Sequence, residues 1–179
     1  IQNKTLLDGM TVYNPFHSIG FYSIFETELV KSVDIYTGGF ESKYGGRVSS
    51  IMDISYRDGD RGAFGGKVSV SPFLAKLVLE GPFSKPKNGR LAPGSYVFTA
   101  KHSLIDYTSK SLYPKINEGD GLPFNFTDLY GKISFNSTNG SKLNLFGFKF
   151  TDQVNYKTPA SIGWNSTGFG GSFVVIPGS

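Results

Sequence analysis

Apolar and polar residues alternate along most of this chain, and the alternation changes character near residue 57. From residue 64 onward the period is two, as in strands with one apolar and one polar face. The pattern predicts strands over 64–72, 74–83, 95–108, 126–137, 142–156 and 168–176. In 74–83 the apolar positions are Ala75, Leu77 and Leu79, with Lys76 and Glu80 opposite. In 95–108 they are Tyr96, Phe98, Ala100 and Leu104, with Thr99, Lys101 and Ser103 opposite. In 126–137 they are Leu129, Gly131, Ile133 and Phe135, facing away from Asp128, Lys132, Ser134 and Asn136. In 142–156 the run Phe146, Phe148, Phe150, Val154 and Tyr156 sets the apolar parity, against Lys149, Thr151, Gln153 and Asn155. The mid-strand lysines Lys76, Lys101, Lys132 and Lys149 thus fall on the polar side. His102 and Asp152 break the rule and suit a rim or a bulge.

The first 57 residues follow another pattern. Thr5 to Tyr13 reads as two short strands around the Asp8-Gly9 turn. Glu26 to Lys31 suits one or two helical turns with Leu29 and Val30 packed inward. Ser32 to Tyr36 reads as a strand through Val33 and Ile35, and Val48 to Tyr56 as another, with Val48, Ser50, Met52, Ile54 and Tyr56 on one face. Between them Gly38-Gly39 and Gly45-Gly46 bracket a tight loop. The expectation is a small α+β unit over 1–57, a polar, glycine-rich linker over 58–63, and a β domain over 64–179. Asn139-Gly140 is a short hairpin turn, whereas 109–125 and 157–167 read as long loops, so short turns are expected at one end of the strands and long loops at the other.

Composition narrows the class. Hydrophobic residues at 39% and charged residues at 18% are too apolar for a disordered chain. No apolar run approaches the ~18 residues of a spanning helix. Phe 16, Tyr 10 and Gly 23 favour strands and tight turns. Two architectures alternate in this way: a soluble sandwich and an outer-membrane barrel. Strands of ~10 residues, an aromatic apolar face and uneven turn spacing lean toward the barrel. Burial of Phe146, Phe148 and Phe150 in a compact soluble core would remove that reading. The net charge of +4 comes from scattered residues, which weighs against nucleic-acid binding. Without cysteine there is no disulfide framework and no thiolate metal site.

Little marks an enzyme. His17 and His102 are the only histidines, and neither has an acid at metal-ligand spacing, so no metal site and no cofactor are expected. Gly168, Gly170 and Gly171 do not introduce a strand–helix unit, so they are no dinucleotide fingerprint. Asp58-Gly59-Asp60 and Glu118-Gly119-Asp120 lack the further ligands of a calcium loop. Asn14, Phe16, His17, Phe21 and Tyr22 form a polar-aromatic loop of the kind that lines ligand pockets; the bland alternative is that the phenylalanines fill a core. Tyr44, Gly45, Gly46 and Arg47 form a glycine turn carrying one cation.

The stretch from Val33 through Gly38-Gly39-Phe40 and Tyr44-Gly45-Gly46-Arg47 to Ile54 resembles the end of the plug domain of TonB-dependent outer-membrane receptors, Bacteroidetes-type in particular. Leu6-Leu7-Asp8-Gly9, Val12-Tyr13-Asn14-Pro15 and Leu79-Glu80-Gly81-Pro82 resemble the same family, so the likeness covers roughly residues 5–83. It implies the C-terminal part of a plug followed by the first six strands or so of a transmembrane antiparallel barrel of about 22 strands. It implies energised uptake of a scarce nutrient in the bacterial outer membrane, without enzymatic activity. The implied partners are the TonB protein, membrane lipid and, as a further candidate, a surface lipoprotein. In the family, plug loops such as Asn14–Tyr22 touch ligand, and Arg47 in its turn would anchor the plug to barrel carboxylates. The TonB box and the start of the plug are expected before Ile1, and further strands after Ser179. The plug wording associated with glycan importers is missing, so a glycan substrate is not favoured. A same-family barrel serving as a scaffold in a surface or secretion complex is the alternative function, and a soluble β-rich adhesin the third class.

Overall fold

The computed structural model describes residues 3–17, 20, 22–44, 49–87, 89–155 and 161–177. The chain forms two units, Ile1–Arg57 and Asp58–Ser179.

In the first unit, β1 (Lys4–Leu7) and β2 (Met10–Val12) form a hairpin. Its turn places Asp8 at φ 49° and Gly9 at φ 84°, the left-handed pair that matches strand twist. β3 (Val30–Tyr36) and β4 (Ile51–Tyr56) complete a mixed sheet in the order β2-β1-β4-β3, with β1 and β4 parallel. Leu6, Tyr44 and Ile51 form one buried cluster, with Tyr36 and Phe40 packed against it. The helical turn expected over 26–31 is a 3-10 turn, Thr27–Leu29, with Leu29 fully buried. Val30 is already extended, and three residues cannot sustain an α-helical ladder. The described residues of this unit hold no α-helix, so the α+β expectation is corrected to a small mixed β unit. Val33 and Ile35 are exposed, and of the fourth strand's expected face Val48 lies outside the described residues.

The second unit is a six-stranded antiparallel meander: β5 (Gly65–Val70), β6 (Leu74–Pro82), β7 (Gly94–Ser103), β8 (Phe124–Asn136), β9 (Lys142–Asn155) and β10 (Ser161–Val174). Every strand pairs with its sequence neighbour. The sheet is open: among the described residues β5 and β10 each have one partner. The last three strands run 13, 14 and 14 residues, well beyond the ~5–6 usual in soluble sheets.

Three expectations about the extents of the strands and their connections change. The segment read as strand 95–108 ends at Ser103 and turns into α1 (Ile105–Leu112). Leu104 O accepts from both Thr108 N and Thr108 Oγ1, and Ser103 Oγ accepts from Ile105 N, so the polar side chains close the first turn. The long loop read over 157–167 is mostly strand, since β10 begins at Ser161. The connections also fail to divide cleanly into short and long ends. The three-residue turn 71–73 shares an end with 104–123, while 83–93 and 137–141 lie at the other.

The register assigns the faces. One face carries Leu77, Leu79, Phe98, Leu129, Ile133 and Phe135, as expected; Leu77 and Leu79 are half-buried and the other four exposed. The other carries Lys76, Glu80, Lys101, Asp128, Lys132 and Ser134. For β9 the expected parity is reversed. Phe146, Phe148 and Phe150 lie across from Lys132, Tyr130 and Asp128 on the charged face and are buried at 7%, 6% and 6% exposure. Leu143 and Leu145 hold the exposed apolar side instead, with Lys149 among them. No register shift accompanies the change: the β8–β9 ladder runs unbroken from Asn136–Lys142 to Phe124–Val154. The rings have room because Phe146 and Phe148 face Gly170 and Gly168 of β10, and Phe148 stacks on Phe150 at 4.7 Å. Asp152, read as a parity breaker, sits on the charged face beside Trp164.

Candidate functional site

On the charged face of the second unit, the register places Lys76, Lys101 and Asp128 side by side on β6, β7 and β8. Lys101 Nζ lies 2.9 Å from Asp128 Oδ2, and both side chains are under a tenth exposed. Lys132, one turn of the pleat away, is 5% exposed and stands 4.0 Å from Asp58. Thr99, Tyr130 and Asp152 are buried on the same face. This is a buried polar surface in which Lys101, Lys132 and Lys142 each have an acid within 4.0 Å, as burial of charge requires.

The expected linker 58–63 is tied to this sheet rather than loose. Asp58 accepts from Ser134 Oγ at 3.0 Å and from Lys142 Nζ. Gly59 lies so close to β7 that a Cβ would sit 1.9 Å from Tyr96 O. Asp60 N donates to Glu80 at 3.0 Å, and Arg61 and Ala92 exchange hydrogen bonds at 2.6 and 3.0 Å. Burial alone would push the Asp58 carboxyl up. The hydrogen bonds from Lys142 and Ser134 and the charges of Lys142 and Lys132 outweigh it and hold the group below the ordinary carboxylate value. Sequence reading missed this anchor, because an Asp-Gly-Asp stretch carries the signal of a turn whether or not its carboxylate is captured.

The opposite face is apolar and open. Phe135, Leu145, Phe169 and Phe173 are 44%, 47%, 79% and 72% exposed. The apolar character stops at the row His102–Thr127–Thr151–Asn165, where His102 Nδ1 and Thr127 Oγ1 are 2.8 Å apart. His102 therefore sits at the rim of the apolar band.

In the first unit, Asn14 and Phe16 line a pocket of about 370 Å³ with Asn3, Tyr13, Ile35 and Met52. Tyr13, which sequence reading did not select, is the most exposed of them at 84%. His17 is not at this surface: it is 3% exposed, and its backbone closes a tight loop by bonding Tyr22 O at 2.9 Å. Tyr22 is half-buried, and Phe21 lies outside the described residues. Of the proposed anchoring turn, Gly45, Gly46 and Arg47 lie outside the described residues. Tyr44 is a core residue: its hydroxyl donates to Asp53 at 3.0 Å, and its ring meets Tyr36 at 5.2 Å. Burial first, then the hydrogen bonds with Tyr36 and Asp53, push its phenol up to about 12.

No group of three or more His, Cys, Asp or Glu among the described residues is placed to hold a metal ion. No helix among them is long and apolar enough to cross a membrane, which says nothing of strands. Comparison with family models, with curated proteins and with solved structures gave no match.

Proposed function

We propose that this chain is part of a TonB-dependent outer-membrane receptor, the end of its plug followed by strands of its barrel, and that the whole protein imports a scarce nutrient. The observation that carries this reading is the two-faced sheet. A soluble protein covers the apolar side of its sheets, whereas here Val, Leu, Ile and Phe stand open on five of the six strands while Lys101, Asp128 and Lys132 of the charged side are buried. That inversion suits a wall between hydrocarbon and a polar interior. The long unpaired margin of β10 supports the same reading, because an open edge is tolerated in lipid only when another strand closes it. The motif resemblance of residues 5–83 supplies the family, and with it the TonB partner and the outer-membrane location. Asn14, Phe16 and the exposed Tyr13 are the ligand-contacting residues in this reading.

The test is gel migration of the full-length protein in detergent before and after boiling. A folded barrel migrates differently from its boiled form and partitions with the outer membrane. Identical migration, together with solubility without detergent, would remove the barrel. Loss of nutrient-limited growth on deleting the TonB gene would separate import from a scaffold role.

A further inference from the structure

Lys149 is the one lysine that the register places amid the apolar rows of β6 to β10, with Leu129 on one side and Thr167 on the other. It is exposed, and among the described residues no carboxylate meets it. A bare ammonium against hydrocarbon is costly, so a membrane wall places one there only near the interface or against an anion. Its row is the last before the polar row of His102 and Thr127, which is an interfacial position.

Directly beneath it the surface is hollow. The next row reads Phe98–Gly131–Gly147–Phe169 across β7, β8, β9 and β10. The two glycines leave the sheet bare between the rings. A Cβ on Gly131 would meet nothing nearer than 3.9 Å, while Phe169 leans over Gly147, where a Cβ would meet its ring at 2.8 Å. The hollow measures about 560 Å³ and includes Lys149 and Thr167 at one end. A trough of apolar floor and walls, closed at one end by a cation and a hydroxyl, is complementary to one kind of molecule.

We propose that this trough holds a phosphorylated lipid of the surrounding membrane, one acyl chain over Gly131 between Phe98 and Phe169, with its phosphate on Lys149 and Thr167. The inference rests on the membrane reading above and adds a specific lipid site to it. Native mass spectrometry of the full-length protein, exchanged into mild detergent with phosphatidylglycerol or phosphatidylcholine, tests it. The expected result is one retained phosphatidylglycerol, lowered about fivefold by Lys149→Gln and kept by Lys149→Arg. Gly131→Leu, which fills the trough, is expected to release phosphatidylglycerol and phosphatidylcholine alike. Equal retention of phosphatidylglycerol by the wild type and Lys149→Gln overturns the site. So does equal retention of the two lipids by the wild type. If the wild type shows heat-modifiable migration in either of those cases, only the lipid site fails; without that migration the membrane reading fails as well.

Discussion

Replacing Asp128 by alanine removes the acid from a row in which β6 and β7 bring Lys76 and Lys101 directly opposite one another. Lys101 keeps a buried position, at 9% side-chain exposure, and loses the carboxylate 2.9 Å away. Exposure that low leaves little solvent screening, so losing this carboxylate is expected to cost about 3–5 kcal/mol. Lys101→Met leaves the reverse problem at Asp128, with a similar cost. The double variant Lys101→Met/Asp128→Leu removes both charges and fills the space with apolar atoms. It is expected within about 1 kcal/mol of the wild type, because buried ion pairs rarely outdo well-packed apolar replacements. The coupling between the two sites is then on the order of 3 kcal/mol or more. Urea unfolding of the full-length protein folded into detergent micelles, read by intrinsic fluorescence, measures all four forms. A cost under about 1 kcal/mol for Asp128→Ala, or a double variant as damaged as the two singles combined, would refute the claim that this face buries its charge.

The folded-state pKa of Asp58 is lowered, so its contribution is present above the unfolded value of about 3.9 and disappears as pH falls through the lower folded value. Asp58→Asn should therefore be less stable than the wild type at pH 7, and the gap should close in acid unfolding below about pH 4. Gly59→Ala should cost about 3 kcal/mol or prevent folding, since the added carbon overlaps a backbone oxygen rather than a movable side chain. Tyr44 has a raised phenol, so its contribution holds below about pH 10 and is lost as pH rises through about 12. An ultraviolet phenolate titration should show one late-ionising tyrosine that Tyr44→Phe abolishes, at a stability cost of about 1 kcal/mol from the lost bond to Asp53. If the open apolar face meets lipid, as proposed, Leu145→Lys should cost about 2–4 kcal/mol in vesicles, against less than about 1 kcal/mol for Gln153→Lys beyond the polar row.

The sheet was legible where local rules act alone. Leu77, Phe98, Leu129 and Phe135 read onto one face because each strand there has a single apolar parity. β9 was not legible, because Leu143 and Leu145 favour one parity while Phe146, Phe148 and Phe150 favour the other, and counting residues chose the larger set. What decided it was cross-strand room at Gly168 and Gly170, which depends on a partner strand and not on β9 itself. The helix after Ser103 was hidden because Leu104 continues the apolar parity of Tyr96, Phe98 and Ala100; its helical contact, Ser109 Oγ accepting from Leu122 N at 2.8 Å, comes from a distant residue. The Asp8-Gly9 turn was readable because only its own two residues set it. In the ligand loop, Asn14 and Phe16 reach a shared pocket, but His17 is buried and its backbone amide bonds Tyr22 O, which composition does not encode.

The strict succession of β5 to β10, each hydrogen-bonded to the strand made just before it, has a consequence for biogenesis. Such a meander can be laid down in order of synthesis, as a ribbon that widens by one hairpin at a time with little entropy lost in closing distant loops. Its leading margin stays adhesive at every stage, and after Ser161–Val174 joins, that margin is fourteen residues of flat template bearing phenylalanine and valine. A ribbon halted there in water would pair with others of its kind, and in the membrane reading delivery to lipid would have to keep pace with its growth.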